Sequence, residues 1–140
     1  MSRNVRLAAV LMFAAVVSAC GGNDTPTSPS VNVPFSTTDI RVGTGAEATT
    51  GRNVTVAYVG WLYATSAAEN KGTQFDAGAF SFTVGTGVIA GFSRGVTGMR
   101  VGGQRRVVIP PDLGYGSAGS PPTIPGNATL IFDIELRSVQ

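Results

Sequence analysis

Between Thr129 and Leu136 the chain alternates without a break: Leu130, Phe132, Ile134 and Leu136 fall on one side, Thr129, Ile131, Asp133 and Glu135 on the other. That period of two belongs to a strand, and a strand with one apolar face is stable only inside a sheet packed against something else. Shorter alternations recur upstream: Val54, Val56 and Tyr58 against Thr55, Ala57 and Val59; then Phe80, Phe82 and Val84; then Arg105 to Ile109, closed by Pro110-Pro111. Four or five strands are expected. Only Ile89, Phe92 and Val96 recur at helical spacing, and Gly91, Gly95 and Gly98 interrupt them. Each interior glycine costs a helix roughly 0.5–1 kcal/mol relative to alanine, so this helix must depend on packing rather than on propensity. The pattern predicts an α+β domain, an antiparallel sheet with one short helix packed across it.

The 140 residues suffice for one core of that kind and not for two. With no histidine and a single cysteine, the chain excludes a histidine-based triad, an intramolecular disulfide, and a metal site of imidazoles or clustered thiolates. No cofactor or metal is expected. Two of the 10 basic residues, Arg3 and Arg6, lie in a segment read below as removable, which leaves 8 to balance 8 acidic ones. Charge therefore gives no support to nucleic-acid binding, which needs a basic surplus on one face. Arg105 and Arg106 read as the solvent side of a strand. Gly114 to Gly119 fits G-x-G-x-x-G, but Ser120-Pro121-Pro122 follows and leaves no helix to present its amino end to a pyrophosphate.

The first residues read as an address. Arg3 and Arg6 precede the apolar run Leu7 to Val17, and Val17-Ser18-Ala19-Cys20 closes it with small residues, the order of a secretory signal. The run falls short of the roughly 20 residues that span a bilayer as a helix. The closing four residues resemble the lipobox of bacterial lipoproteins, which implies cleavage after residue 19 and lipid modification of Cys20; the alternative is a generic signal with an incidental cysteine. Gly21 after the cysteine favours, by the same resemblance, the outer membrane. Residues 20–36 contain Pro26, Pro29 and Pro34 among Gly, Ser, Thr and Asn and read as a flexible tether, with a root-mean-square reach of about 20–24 Å. The domain is expected over 37–140, periplasmic and monomeric, touching a membrane only through its anchor.

The remaining aromatics are unevenly spread, and taken alone they fit an ordinary core as well as a ligand site. Their sequence context is more telling. Val56 to Leu62, Gly72 to Asp76, Val88 to Phe92, Gly95 to Met99, Gly102 to Arg106, Ile109 to Pro111, Gly114 to Gly116, Ile124-Pro125 and Thr129 to Leu136 resemble, in order, the successive signatures of the FK506-binding (FKBP-type) peptidyl-prolyl isomerases. The resemblance covers about Asn53 to Leu136.

It implies a half-wrapped antiparallel sheet around a helix, with an apolar cavity between them that receives a proline ring. Tyr58, Asp76, Ile89, Tyr115 and Phe132 are then the catalytic set. Phe75, Phe80, Val88, Phe92 and Ile124 would line the substrate site, and Phe82 is either a lining or a core residue. The Ile89 N–H and the Tyr115 hydroxyl would hold substrate carbonyls, Asp76 would accept a hydrogen bond from Tyr58, and Leu113 to Gly126 would form a mobile flap. Phe92 stands where well-known members have tryptophan. Ala64 to Asn70 reads as an insertion, and Ala77-Gly78-Ala79 is shorter than the family's usual bulge. The partners implied are proline-containing polypeptides and FK506-class macrolides. The activity implied is isomerisation of X-Pro bonds in exported proteins; the alternative is a module that binds proline segments with little turnover.

Overall fold

The computed structural model describes residues 33–140; the signal, Cys20 and most of the tether lie outside them. Five strands form one antiparallel sheet: β1 Ser36–Arg41, β2 Asn53–Tyr63, β3 Lys71–Thr83, β4 Gln104–Ile109 and β5 Leu130–Val139, in the spatial order β1-β4-β5-β2-β3. The helix α1, Ala90–Val96, lies between β3 and β4 in the chain. Phe35 already packs on the core, so the folded part reaches two residues ahead of the expected start at Thr37.

The C-terminal alternation is the strand it promised. Leu130, Ile134 and Leu136 are fully buried and Phe132 is 4% exposed. Ile131, on the opposite face, is buried too, flanked across the sheet by Trp61 and Val108. Trp61 is half-buried there, with the Lys71 ammonium 4.3 Å from its ring centroid. Farther along this face Asp133 accepts hydrogen bonds from Arg106 (2.8 Å) and Lys71 (2.8 Å). Burial pushes the Asp133 carboxyl up, but the bonds and charges of Arg106 and Lys71 outweigh it and hold the group below the usual carboxylate range.

Arg105 is not a solvent-side residue. Its guanidinium bonds Asp39 of β1 (2.7 Å) and the carbonyls of Gly95 (3.0 Å) and Thr97 (3.1 Å), so it closes the carboxyl end of α1 and ties three elements together. Ser93 holds the other side of the helix, accepting a hydrogen bond from the Gly85 N–H at 2.6 Å.

The glycines of α1 have a packing reason. A Cβ on Gly95 would stand 2.6 Å from Val107 Cγ2, and one on Gly91 would overlap the Ile109 side chain. The helix therefore approaches β4 more closely than any side chain would allow. Two effects oppose each other in Gly95→Ala: a propensity gain of ~0.5–1 kcal/mol and an overpacking cost of ~1–3 kcal/mol. Valine cannot swing aside on its stiff χ1, so the cost wins. The expected outcome is a lower urea midpoint at unchanged m-value; a raised midpoint would refute the close-packing account.

Candidate functional site

The concave side of the sheet collects rings. Phe92, 3% exposed on α1, is their hub: its centroid lies 5.2 Å from Phe132, 5.6 Å from Phe80, 5.7 Å from Phe82 and 5.8 Å from Tyr58. Tyr58 meets Phe80 edge-on at 5.4 Å, and Phe75 meets Phe132 edge-on at 5.5 Å. These are the offset and T-shaped geometries that aromatic quadrupoles favour. Phe82 stacks on Phe80 at 5.3 Å and, like Phe92 and Phe132, is part of the buried core.

Strand register puts the rings there. β2 and β3 pair Tyr58 with Gly78 and Val56 with Phe80, then slip between Gly60 and Trp61 so that Phe75 becomes an extra residue. At the slip, a Cβ on Gly60 would lie 2.7 Å from Phe75 Cζ and 2.8 Å from Phe132 Cε1. Only glycine leaves room for both rings over the strand. Sequence reasoning quoted Gly60 within a family signature but gave it no role; an isolated glycine inside an alternating strand was the available signal.

Exposure rises in one direction across the cluster. Phe92 and Phe132 are buried, Tyr58, Phe75, Phe80, Val88 and Ile89 are half-buried, and Asp76 and Tyr115 are exposed. The ring cluster thus has a buried side and a side open to solvent. Two surface recesses, of about 110 Å³ beside Arg41 and Arg105 and about 340 Å³ over Ala57, Trp61 and Glu135, lie away from it.

At the rim the Tyr58 hydroxyl donates to Asp76 Oδ2 at 2.6 Å, while Asp76 Oδ1 accepts the Ala77 N–H at 2.9 Å. Burial, then the hydrogen bond and charge of Asp76, then Tyr115 push the Tyr58 phenol up to about 12. Ile89 caps α1 and its carbonyl accepts from Phe92 and Ser93, yet no acceptor among the described residues takes its N–H. A backbone donor beside half-buried rings is what a bound carbonyl requires. Ile124 is placed differently from the expected flap residue. It is 4% exposed within the core, and it exchanges backbone bonds with Ser120 at 2.8 and 2.9 Å. The loop is pinned by this plug as well as by Gly116 N–H to Pro111 O (2.8 Å) and Asn127 N–H to Gly116 O (2.8 Å). Tyr115, 39% exposed, stands on its rim.

Comparison with known proteins shows the family. The family model described as FKBP-type peptidyl-prolyl cis-trans isomerase matches residues 45–137. The chain belongs to that family.

Among its relatives, the FK506-binding protein of Neisseria meningitidis serogroup A is 43% identical over 107 residues, covering 72% of this chain and 92% of that protein. FK506-binding protein 4 of Dictyostelium discoideum is 44% identical over 119 residues, 81% of this chain but 31% of its own, so this chain spans about a third of that relative. Of solved structures, the peptidyl-prolyl cis-trans isomerase of Pseudomonas syringae superposes with TM-score 0.66 at 31% identity, covering 76% of this chain and 75% of that one. FkpA of Escherichia coli superposes with TM-score 0.65 at 35% identity, covering 76% and 48%. The five-stranded antiparallel sheet with one short helix is thus the isomerase family's fold.

The raised phenol has a consequence for stability. Between pH 10 and about 12 the unfolded chain has lost the Tyr58 proton and the folded one keeps it, so the Tyr58 contribution is full below pH 10 and disappears as pH rises through its folded value. Phenolate absorbance should show one tyrosine titrating near 12, absent in Tyr58→Phe. Ordinary titration of all three phenols would contradict the Tyr58–Asp76 bond.

Proposed function

We propose that this chain is a peptidyl-prolyl cis-trans isomerase acting on X-Pro bonds of exported proteins, anchored to a membrane on the periplasmic side by lipid on Cys20, with the outer membrane favoured. The observation that carries the catalytic reading is the ring cluster exposed on one side, with the Tyr58–Asp76 bond and, among the described residues, the unpartnered Ile89 N–H at its edge.

Rotation about a peptide C–N bond passes through a state in which nitrogen and carbonyl lose conjugation, at a barrier of ~18–20 kcal/mol. For X-Pro bonds both isomers are populated and exchange takes tens to hundreds of seconds. Water stabilises the planar amide, because its carbonyl oxygen carries more charge than that of the twisted form. A ring-lined hollow withdraws that water. Catalysis then comes from differential stabilisation of the twisted state, with no nucleophile, acid or base, which suits a chain without histidine. Phe92 and Phe132 form the floor for the proline ring, and Tyr58, Phe75 and Phe80 form its walls. The Ile89 N–H and the Tyr115 hydroxyl orient the flanking carbonyls. Asp76 fixes the Tyr58 ring. Macrolides of the FK506 class would compete for the same floor.

The soluble mature chain should accelerate the slow, proline-limited phase of refolding of a test protein. Asp76→Leu, which removes a hydrogen bond to a charged acceptor worth ~1.5–3 kcal/mol, should lower kcat/KM by roughly ten- to a hundredfold. Phe132→Ala should lower it too and destabilise the fold by ~3–5 kcal/mol. No acceleration at high protein concentration, with proline peptides still bound, would establish a binding module instead.

The anchor is tested separately. Metabolic labelling with a radioactive fatty acid should mark the wild-type chain, and Cys20→Ser should abolish the label and leave the protein soluble or uncleaved. Labelling that persists in Cys20→Ser would refute the lipid anchor.

A further inference from the structure

β3 is an edge strand, paired with β2 on one side only. Hydrogen bonds at both ends of β2 fix which way the backbone groups of β3 point. Asn53 exchanges bonds with Gln140 (3.2 and 2.7 Å) and the Tyr63 N–H donates to Thr129 O (2.9 Å), so the odd-numbered residues of β2 face β5. The Val84 N–H donates to Arg52 O (2.9 Å), so the even-numbered ones face β3. Alternation along an antiparallel ladder then settles β3. Gly78, Phe80 and Phe82, opposite Tyr58, Val56 and Val54, turn their N–H and C=O groups toward β2, whereas Ala77, Ala79 and Ser81 turn theirs outward. The Ala77 N–H, bound by the Asp76 carboxylate and not by β2, agrees with this.

The outward groups of Ala79 and Ser81 have no backbone partner outside the β2 ladder, and no side chain among the described residues supplies one. Folded proteins usually blunt such an edge with lysine, proline or a bulge. The stretch from Ala77 to Thr83 has none of these, and Ala77, Gly78, Ala79 and Ser81 are small and exposed. Its register is unbroken from Asp76 to Thr83, and it runs directly from Asp76, which bonds Tyr58, to Phe80, which packs on it. An approachable backbone therefore begins at the rim of the ring hollow.

We propose that the free edge of β3 from Ala77 to Ser81 is a strand-addition subsite, which takes an extended segment of a substrate polypeptide beside the prolyl bond held among the rings. The inference rests on the isomerase reading and deepens it: the preferred substrate is an unfolded chain with an extended flank, not a short prolyl peptide. Backbone pairing binds such flanks with little regard to sequence, as suits a general client population. Ala79 acts here through its main chain alone and lies outside the catalytic set.

The test compares a fluorescent peptide carrying about six residues on one side of a single Ala-Pro, the length of an ordinary strand, with the same peptide N-methylated at alternate flank positions and with a prolyl tetrapeptide. Two added backbone hydrogen bonds correspond to about tenfold in Kd. The long peptide should bind about tenfold more tightly than its N-methylated form. Ala79→Pro, which removes an outward N–H that the β2 ladder does not use, should erase that difference and leave tetrapeptide kcat/KM unchanged. Equal binding of plain and N-methylated peptides overturns the subsite, and that arm decides even if Ala79→Pro fails to fold. A concentration-dependent dimer that Ala79→Pro abolishes, with no peptide effect, overturns it in favour of edge pairing between two copies. Absence of tetrapeptide turnover would reject the isomerase reading while binding still reports on the edge.

Discussion

The ring cluster exists because a seven-residue helix lays its own backbone directly on the side chains of a strand. α1 is too short and too rich in glycine to persist by itself. Gly91 and Gly95 remove the side chains that would hold it away from Ile109 and Val107, while Arg105 fastens its carboxyl end and Ser93 its middle. At that distance Phe92 reaches four other rings across the concave face. The feature that weakens the helix locally is what makes its tertiary contact tight, and the pocket floor depends on that trade.

A second close approach shapes the wall. Gly60 sits at the register slip between β2 and β3, and the Phe75 and Phe132 rings occupy the space a side chain would need. Floor and wall thus share a device, backbone stripped of Cβ so that large side chains can meet. The result is an apolar surface with few polar groups, each placed: a phenol locked by Asp76 and a backbone N–H left open at Ile89. Such a surface can shelter an amide from water and still orient its carbonyls, and a reaction that only rotates a bond needs little more.

Strand identity was legible in the sequence wherever one face is apolar and the other polar, as in β2, β5 and the latter half of β3. β1 was not legible, because all six of its residues are exposed and no alternation marks it. The first half of β3 was hidden for a related reason: apart from Phe75, Lys71 to Ala79 is an edge of small and polar residues, so pairing more than burial makes it a strand. Arg105 and Arg106 looked alike in sequence because adjacent residues on a strand face opposite ways; one caps the helix and the other pairs with Asp133. Family resemblance supplied the site residues, and the structure brings Tyr58, Phe75, Phe80, Phe82, Phe92 and Phe132 into one ring cluster, with Ile124 buried in the same core. Ile124 could not be placed from sequence, since an isoleucine between prolines in a loop reads equally as a rim or a plug.

The short segment Ala77-Gly78-Ala79 links the specificity of the site to its sheet. A bulge there would have twisted the edge away and left the hollow as an isolated pocket that recognises a proline and little else. With the register unbroken, the main chain that leads out of the pocket is itself a template for another extended chain. The cost is an unprotected edge, which side-chain design normally suppresses. Small side chains, which bury little apolar area, make that edge approachable without making it adhesive: an added strand gains backbone hydrogen bonds but few side-chain contacts, so it binds weakly and leaves readily. Weak, reversible holding of a flank is the regime in which a prolyl bond can be captured, turned and released without trapping the chain that carries it.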